Sequence, residues 1–168
     1  GETVASDDIS YQYDESGNPV LVTYENDSTD TFTYDANGNL QTFTDRNGIK
    51  TFYQDYVGGN PTLIARQKDG TTIDYSPICD QSLFKITHYT YNANGTVYTH
   101  TDVDGMVTTY TYDANGNMLT ATSVKDSVTI STATNTYNNI GWKLTESATV
   151  GGKTTSAEYK YDLNRTTL

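Results

Sequence analysis

Residues 109–118, TYTYDANGNM, alternate threonine with tyrosine up to an aspartate and resume with an apolar residue after an asparagine. A period of two is the pattern of a half-buried strand, because successive side chains point to opposite faces. Between the two runs, Asp suits the first position of a type I turn and Gly the left-handed residue that follows, closing a three-residue hairpin loop with a bulge. The pattern recurs as TFTYDANGNL (31–40), as HYTYNANGTV (88–97) and, more altered, as SYQYDESGNP (10–19). The turns therefore rest on Asp14 and Gly17, Asp35 and Gly38, Asn92 and Gly95, and Asp113 and Gly116.

Counting outward from the turn, Asp113 pairs with Asn117, Tyr112 with Met118, Thr111 with Leu119 and Tyr110 with Thr120. That register gives one aromatic and apolar face, holding Tyr110, Tyr112, Met118 and Thr120, and a polar face with Thr111. By the same construction Phe32, Tyr34 and Leu40 share the aromatic face, as do Tyr89, Tyr91 and Val97, and Tyr11, Tyr13 and Leu21. The other face carries Gln12, Thr33, Gln41 and Thr90, interrupted by Val20, Tyr98 and Leu119.

The array is serial. Tyr13 to Tyr34 and Tyr91 to Tyr112 are each 21 residues, and degenerate copies stand at YVGGNP (56–61), TIDYSP (72–77), TYNNIGW (136–142) and YKYDLN (159–164). A second turn punctuates each unit, as DRNG (45–48), QKDG (67–70), VDG (103–105), VKDS (124–127) and VGGK (150–153). Two strands and two turns in about twenty residues make a meander unit whose neighbours bury each other's faces. The expectation is one β domain over 1–168, with about seven repeats.

Composition agrees with strands. The chain has 168 residues with 15 Tyr against 4 Phe and 1 Trp, and Tyr and Thr favour strands, whereas helix formers are sparse. A net charge of −11 with only 10 Lys and Arg argues against nucleic acid and anionic membrane surfaces. No apolar run nears the roughly 20 residues of a membrane span, so no membrane insertion is expected. Cys79 is the single cysteine, which leaves no intrachain disulfide.

YDANGN followed by a DxxG turn, in tandem, resembles the YD repeat, also called the Rhs repeat, over nearly the whole chain. That family includes bacterial Rhs toxins, cell-wall-associated proteins, subunits of insecticidal toxin complexes and teneurins. The resemblance implies a long antiparallel sheet that spirals into a hollow shell, and a link to carbohydrate or cell-surface binding. About seven repeats would make an arc of such a wall. The DPxG signature of the self-cleaving Rhs core is absent from the sequence.

Chemistry is thinly marked. The predicted hairpin at Asn92 places His88 and His100, the two histidines, opposite each other on the polar face, a weak candidate for a metal pair with Asp102 and Asp104 nearby. A calcium loop fails on spacing, since its twelfth position is Val124 counted from Asp113 and Arg46 counted from Asp35. Asp and Asn are accounted for by turn chemistry. No nucleophile sits beside a His and an acid, so no catalytic residue, enzyme activity or cofactor is expected.

The aromatic face offers the remaining candidates. Tyr34, Tyr91 and Tyr112 are either the core of the sheet or a stacking platform for sugars, and Trp142 is the single residue best suited to ligand contact. An all-β fold follows: tandem hairpins in an extended, twisted and curved antiparallel sheet of twelve to fourteen strands, with Tyr, Phe and Leu on the concave side. Two functions are compatible with it. One is a non-catalytic scaffold or shell-wall segment of a secreted or cell-surface bacterial protein, packed on other parts of a larger parent protein. The other is a module binding cell-surface carbohydrate. Open terminal strands make a homodimer a further expectation.

Overall fold

The computed structural model describes residues 9–73 and 80–161. Thirteen strands lie among them, antiparallel and hydrogen-bonded in chain order, so the all-β expectation holds. Cys79, most of TIDYSP and the end of YKYDLN fall outside the described residues. Two compact units are formed, residues 1–88 and 89–168. The first holds β1 (Ser10–Tyr13), β2 (Pro19–Thr23), β3 (Thr29–Tyr34), β4 (Leu40–Thr44), β5 (Lys50–Val57), β6 (Asn60–Gln67) and β7 (Phe84–Tyr91) as far as His88. The second holds the rest of β7, then β8 (Val97–Thr101), β9 (Val107–Tyr112), β10 (Met118–Lys125), β11 (Val128–Tyr137), β12 (Lys143–Val150) and β13 (Lys153–Glu158).

One turn is used repeatedly. At Asp113 the backbone N–H donates to the Asn117 carbonyl at 2.9 Å, and the Gly116 N–H donates back to the Asp113 carbonyl at 3.1 Å. Gly116 has φ 84°, in the left-handed region that glycine enters without steric penalty. The Asp113 carboxylate Oδ1 accepts the N–H groups of Asn115 and Asn117, and Oδ2 accepts the Asn117 amide, all at 2.9 Å. Asp14 and Asp35 make the same three bonds with Asn18 and Asn39 as their amide partners. These bonds hold the three carboxyls below the usual carboxylate range, the Asn side-chain amide contributing most.

The DRNG and VDG turns repeat this geometry at the other ends of the strands, with Asp45 and Asp102 as the capping acids. Asn138 does the same with its amide oxygen. A further copy, unmarked in sequence, runs from Tyr24 to Ser28 with Asp27 at φ 60° where the others place glycine. YVGGNP, read as a copy of the Asp-Gly turn, is instead a two-residue loop with Gly58 and Gly59 at φ 57° and 79°. Gly151-Gly152 and Asp126-Ser127 form two-residue loops of the same positive-φ kind, the primed turns that match strand twist.

The register departs from simple counting beyond the first pair. Tyr112 faces Met118, but Thr111 faces Thr120 and Tyr110 faces Ala121, with Leu119 as an extra residue. The same insertion falls at Val20, Gln41 and Leu144. A β-bulge puts two residues opposite one, which shifts every later pair. Thr120 therefore joins Thr111 on the polar face rather than the tyrosines, and Leu21 joins Gln12 rather than Tyr11, which faces Val22. Val20 and Leu119, which interrupt the polar pattern in sequence, are bulge residues. Three of these four bulges bring two threonines into hydroxyl contact: Thr33 with Thr42, Thr111 with Thr120 and Thr136 with Thr145, at 2.6–2.7 Å. Thr90 and Thr99 make the equivalent pair at 2.6 Å.

Successive hairpins are tied together by tyrosine. The Tyr34 hydroxyl donates to the Pro19 carbonyl at 2.9 Å, Tyr137 to Met118 at 3.0 Å and Tyr161 to Lys143 at 2.7 Å, and Tyr56 donates to Leu40. Each acceptor is the first strand residue after the turn of the preceding hairpin.

The deepest packing is not on the tyrosine face. Ala65, Phe84 and Ile86 form the buried cluster of the first unit, with Phe52, Leu63, Ile73 and Leu83 against it. The Phe52 and Phe84 rings meet edge to face, with centroids 5.7 Å apart. Cross-strand pairing runs Thr33, Thr42, Phe52, Ala65, Ile86, and paired residues share a face. The face that is polar at β3 and β4 thus becomes apolar at β5 to β7, where Ile73 and Leu83 of the β6–β7 connection cover it.

Three outcomes follow for stability. Asp126 and Ser127 occupy left-handed backbone better suited to Asn-Gly, so the double change Asp126→Asn, Ser127→Gly should raise stability by about 1 kcal/mol in urea unfolding. Tyr34→Phe removes the donor to Pro19 and should cost about 1 kcal/mol, whereas Tyr11→Phe, at an exposed ring with no such bond, should fall within about 0.5 kcal/mol of the parent. Because the Asp14, Asp35 and Asp113 carboxyls titrate lower when folded than unfolded, their contribution is complete above the unfolded value of about 4 and is lost as pH falls below it. Changing all three to Asn should flatten the acid limb of the urea midpoint plotted from pH 6 to pH 2, with the turn itself retained as at Asn138.

Candidate functional site

The residues proposed for ligand contact differ in how they are used. Tyr34, Tyr91 and Tyr112 are half-buried, and burial pushes their hydroxyls above the ordinary phenol range, helped by Asp14 at Tyr34, by Tyr89 at Tyr91 and by Tyr110 at Tyr112. Tyr34 is also committed to the Pro19 carbonyl. Trp142 is 39% exposed, and its ring centroid lies 4.8 Å from that of Tyr161, itself 45% exposed, at a tilt of 49°. The two rings come together because Trp142 ends the Asn138 turn, while Tyr161 follows β13 and bonds to Lys143 beside it. Ile140 and Leu144 are also exposed nearby in the sequence.

The histidines are not opposite each other. His88 pairs with Leu63 on β6. His100 stacks on Tyr89, with centroids 4.8 Å apart and planes at 18°. The one-residue bulge shift is the cause: it moves His100 from the position facing His88 to the position facing Tyr89, on the aromatic side. Asp102 is spent on its turn, accepting the N–H groups of Asp104 and Met106 at 2.9 Å. Among the described residues no group of three or more His, Cys, Asp or Glu side chains is placed to hold a metal ion.

The turn residues line open, polar grooves. In the first unit Asp35 and Asn39 border a hollow of about 750 Å³ whose other wall is Tyr53, Gln54, Asp55 and Tyr56. Asp55 has φ 55° within β5, and its carbonyl accepts the Thr62 hydroxyl at 2.8 Å. In the second unit Asn92, Asn94 and Asp113 border a similar hollow with Tyr98, Tyr110 and Tyr112. Such surfaces offer acceptors and ring faces to hydroxylated ligands; they assemble no nucleophile, base and oxyanion set.

One cluster escapes sequence inspection. The Tyr24 hydroxyl donates to Asp30 Oδ2 at 2.7 Å, and the Arg46 guanidinium lies 3.7 Å from the Tyr24 ring centroid. The bond to Asp30 is the main reason the Tyr24 hydroxyl titrates higher than usual. The only sequence signal is a Tyr and an Asp either side of a turn that lacks glycine.

The RHS Repeat family matches the chain at residues 13–50 and 91–128. Among solved structures, the chain is similar to a TcdB2–TccC3 complex without its hypervariable C-terminal region, at 17% identity and a TM-score of 0.51, covering 92% of this chain and 9% of that one. TcdB2–TccC3–TEV is matched at 13% identity and a TM-score of 0.43, over 96% of this chain and 11% of the other. A Tc holotoxin pore of Photorhabdus luminescens is matched at 13% identity and a TM-score of 0.32, over 92% and 12%. The chain thus spans about a tenth of the length of these solved chains. No curated protein matches it. The first of these likenesses shares the fold, an antiparallel ladder of hairpins, and the two matched segments each begin at the tyrosine that precedes an Asx-Gly turn. Residues 13–50 and 91–128 of this chain are thus two segments that match the RHS repeat family.

Proposed function

We propose that this chain is a wall segment of a larger secreted or cell-surface bacterial protein, acting by shape and continuity rather than by catalysis. The observation that carries the reading is the tyrosine tie. The chemically distinctive residues of the repeat are already occupied: the Asp in its turn, the Gly in its left-handed bend, and the Tyr in a bond to the preceding hairpin. A sheet assembled this way extends by adding hairpins, and that suits a wall. The likeness to a TcdB2–TccC3 complex supports a place within a long RHS protein.

A second reading has one specific observation in its favour. Trp142 and Tyr161 present adjacent rings to solvent, and flat aromatic surfaces of this kind stack on the apolar faces of sugar rings. On that reading the segment binds cell-surface carbohydrate, and the Asx turns supply hydrogen-bond acceptors at the rim.

Migration of the folded chain in native gels cast with cell-wall and capsular polysaccharides separates the two. The wall reading expects unchanged mobility for the parent and for Trp142→Ala alike. Retardation by one polysaccharide, abolished in Trp142→Ala with the fold intact by circular dichroism, would overturn it in favour of binding.

A further inference from the structure

The chain contains two Asp-Gly dipeptides in exposed turns, Asp69-Gly70 and Asp104-Gly105, and the structure treats them differently. An aspartyl-glycine pair can cyclise: the glycine backbone nitrogen attacks the aspartate side-chain carbonyl carbon, the amide proton is lost, and the carboxyl OH leaves as water to give a succinimide. Water then opens the ring, either at the original carbonyl, restoring Asp, or at the other, moving the chain onto the β-carboxyl as isoaspartate. The water lost is regained, so no oxidant or other reactant is needed. Attack requires the glycine nitrogen to be free to deprotonate and to swing toward the side chain.

At Gly105 the nitrogen is occupied. Its N–H donates to the Asp102 carbonyl at 3.1 Å, and the preceding Asp104 N–H donates to Asp102 Oδ1 at 2.9 Å, so both peptide units of the pair are held by one residue. The four Asn-Gly pairs of the chain have the same protection, with the N–H groups of Gly38, Gly48, Gly95 and Gly116 each donating to the first residue of the turn at 2.8–3.1 Å. Gly70 breaks this rule. Its turn is closed one residue later, by the Thr71 N–H to the Lys68 carbonyl at 3.3 Å, and the Gly70 N–H has no acceptor among the described residues. Gly70 has φ 75°, with open space where a Cβ would stand. The Asp69 side chain is 82% exposed, restrained by a 3.6 Å ion pair to Arg66, which is itself 44% exposed. Exposed pairs of this kind constrain a side chain little.

We propose that Asp69-Gly70 is a site of isoaspartate formation in the folded protein, and so a substrate for an isoaspartyl carboxyl methyltransferase, because its glycine nitrogen is the one left free where the Asx turn protects its counterpart at Gly105. Both dipeptides have the same intrinsic chemistry, so each is the other's control. A single hydrogen bond of ordinary net strength imposes an opening equilibrium of about five-fold, and this is the smallest ratio expected.

The test is to age the folded full chain at neutral pH and 37 °C. Isoaspartate is then quantified at each site by peptide mapping, with methyl transfer from labelled S-adenosylmethionine by a purified isoaspartyl methyltransferase as the second readout. Isoaspartate at position 69 should exceed that at position 104 by about five-fold or more, and the ratio should fall to near one when the chain is aged in urea. Arg66→Ala, which frees the Asp69 carboxylate, should leave position 69 ahead. Equal accumulation at the two positions in the folded chain, or an excess at position 104, would overturn the proposal. So would a difference that persists unchanged in urea, since it would then belong to local sequence and not to the turn.

Discussion

An isolated β-hairpin is marginal in water, and a row of hairpins without long-range contacts would gain little from being joined. The tie between one hairpin and the next is a phenol hydroxyl donated to a backbone carbonyl just past the preceding turn, as from Tyr34 to Pro19 and from Tyr137 to Met118. This bond explains why the repeat uses tyrosine where phenylalanine would pack as well. It also sets the spacing, because the acceptor must lie at the start of a strand and the donor at the end of the next strand in the chain's up-and-down course. A hairpin whose turn shifted by one residue would present the wrong carbonyl.

That demand falls on the turn, and the turn answers with redundancy. Two backbone bonds, a left-handed glycine and an Asx side chain that accepts two N–H groups all fix the same five residues. The turn from Tyr24 to Ser28 keeps both backbone bonds with a tyrosine in the Asx position and Asp27 in the glycine position, so the fold tolerates loss of the side-chain cap and the glycine together. The redundancy also accounts for the protected glycine nitrogens: the bond that closes the turn is the bond that occupies the N–H. Where the pattern lapses, at Lys68 to Thr71, the backbone donor is released and a chemical liability comes with it.

Sequence reading was strongest where the signal is local. The hairpin at Asp113, the glycine at its left-handed position and the strand content were all legible, because turn chemistry needs particular residue types at particular offsets. The bulge was legible only in part. Val20, Leu119 and Tyr98 stood out as apolar residues in a polar pattern, yet simple alternation counts straight through an inserted residue. A missed insertion in each of three hairpins moved Thr120 and Leu21 to the wrong face and set His88 opposite His100. The buried cluster of Ala65, Phe84 and Ile86 was invisible for a different reason. It depends on which strands the β6–β7 connection covers, and no repeat period encodes that contact.

The two faces of the sheet therefore obey different rules. The tyrosine face is periodic and half-buried, held by bonds that run along the sheet from one hairpin to the next. The opposite face is lined by threonine pairs at most hairpins, whose hydroxyls meet across the bulges and satisfy each other while remaining open to water. At β5 to β7 that face is apolar and buried, and there Ile73 and Leu83 cover it. Threonine suits the role: it keeps the β-branched shape a strand favours while making the face wettable. A repeat sheet with two greasy faces would bind its neighbours indiscriminately, and one with two polar faces would have nothing to bury. Asymmetry between the faces lets hairpins be added in number without either failure.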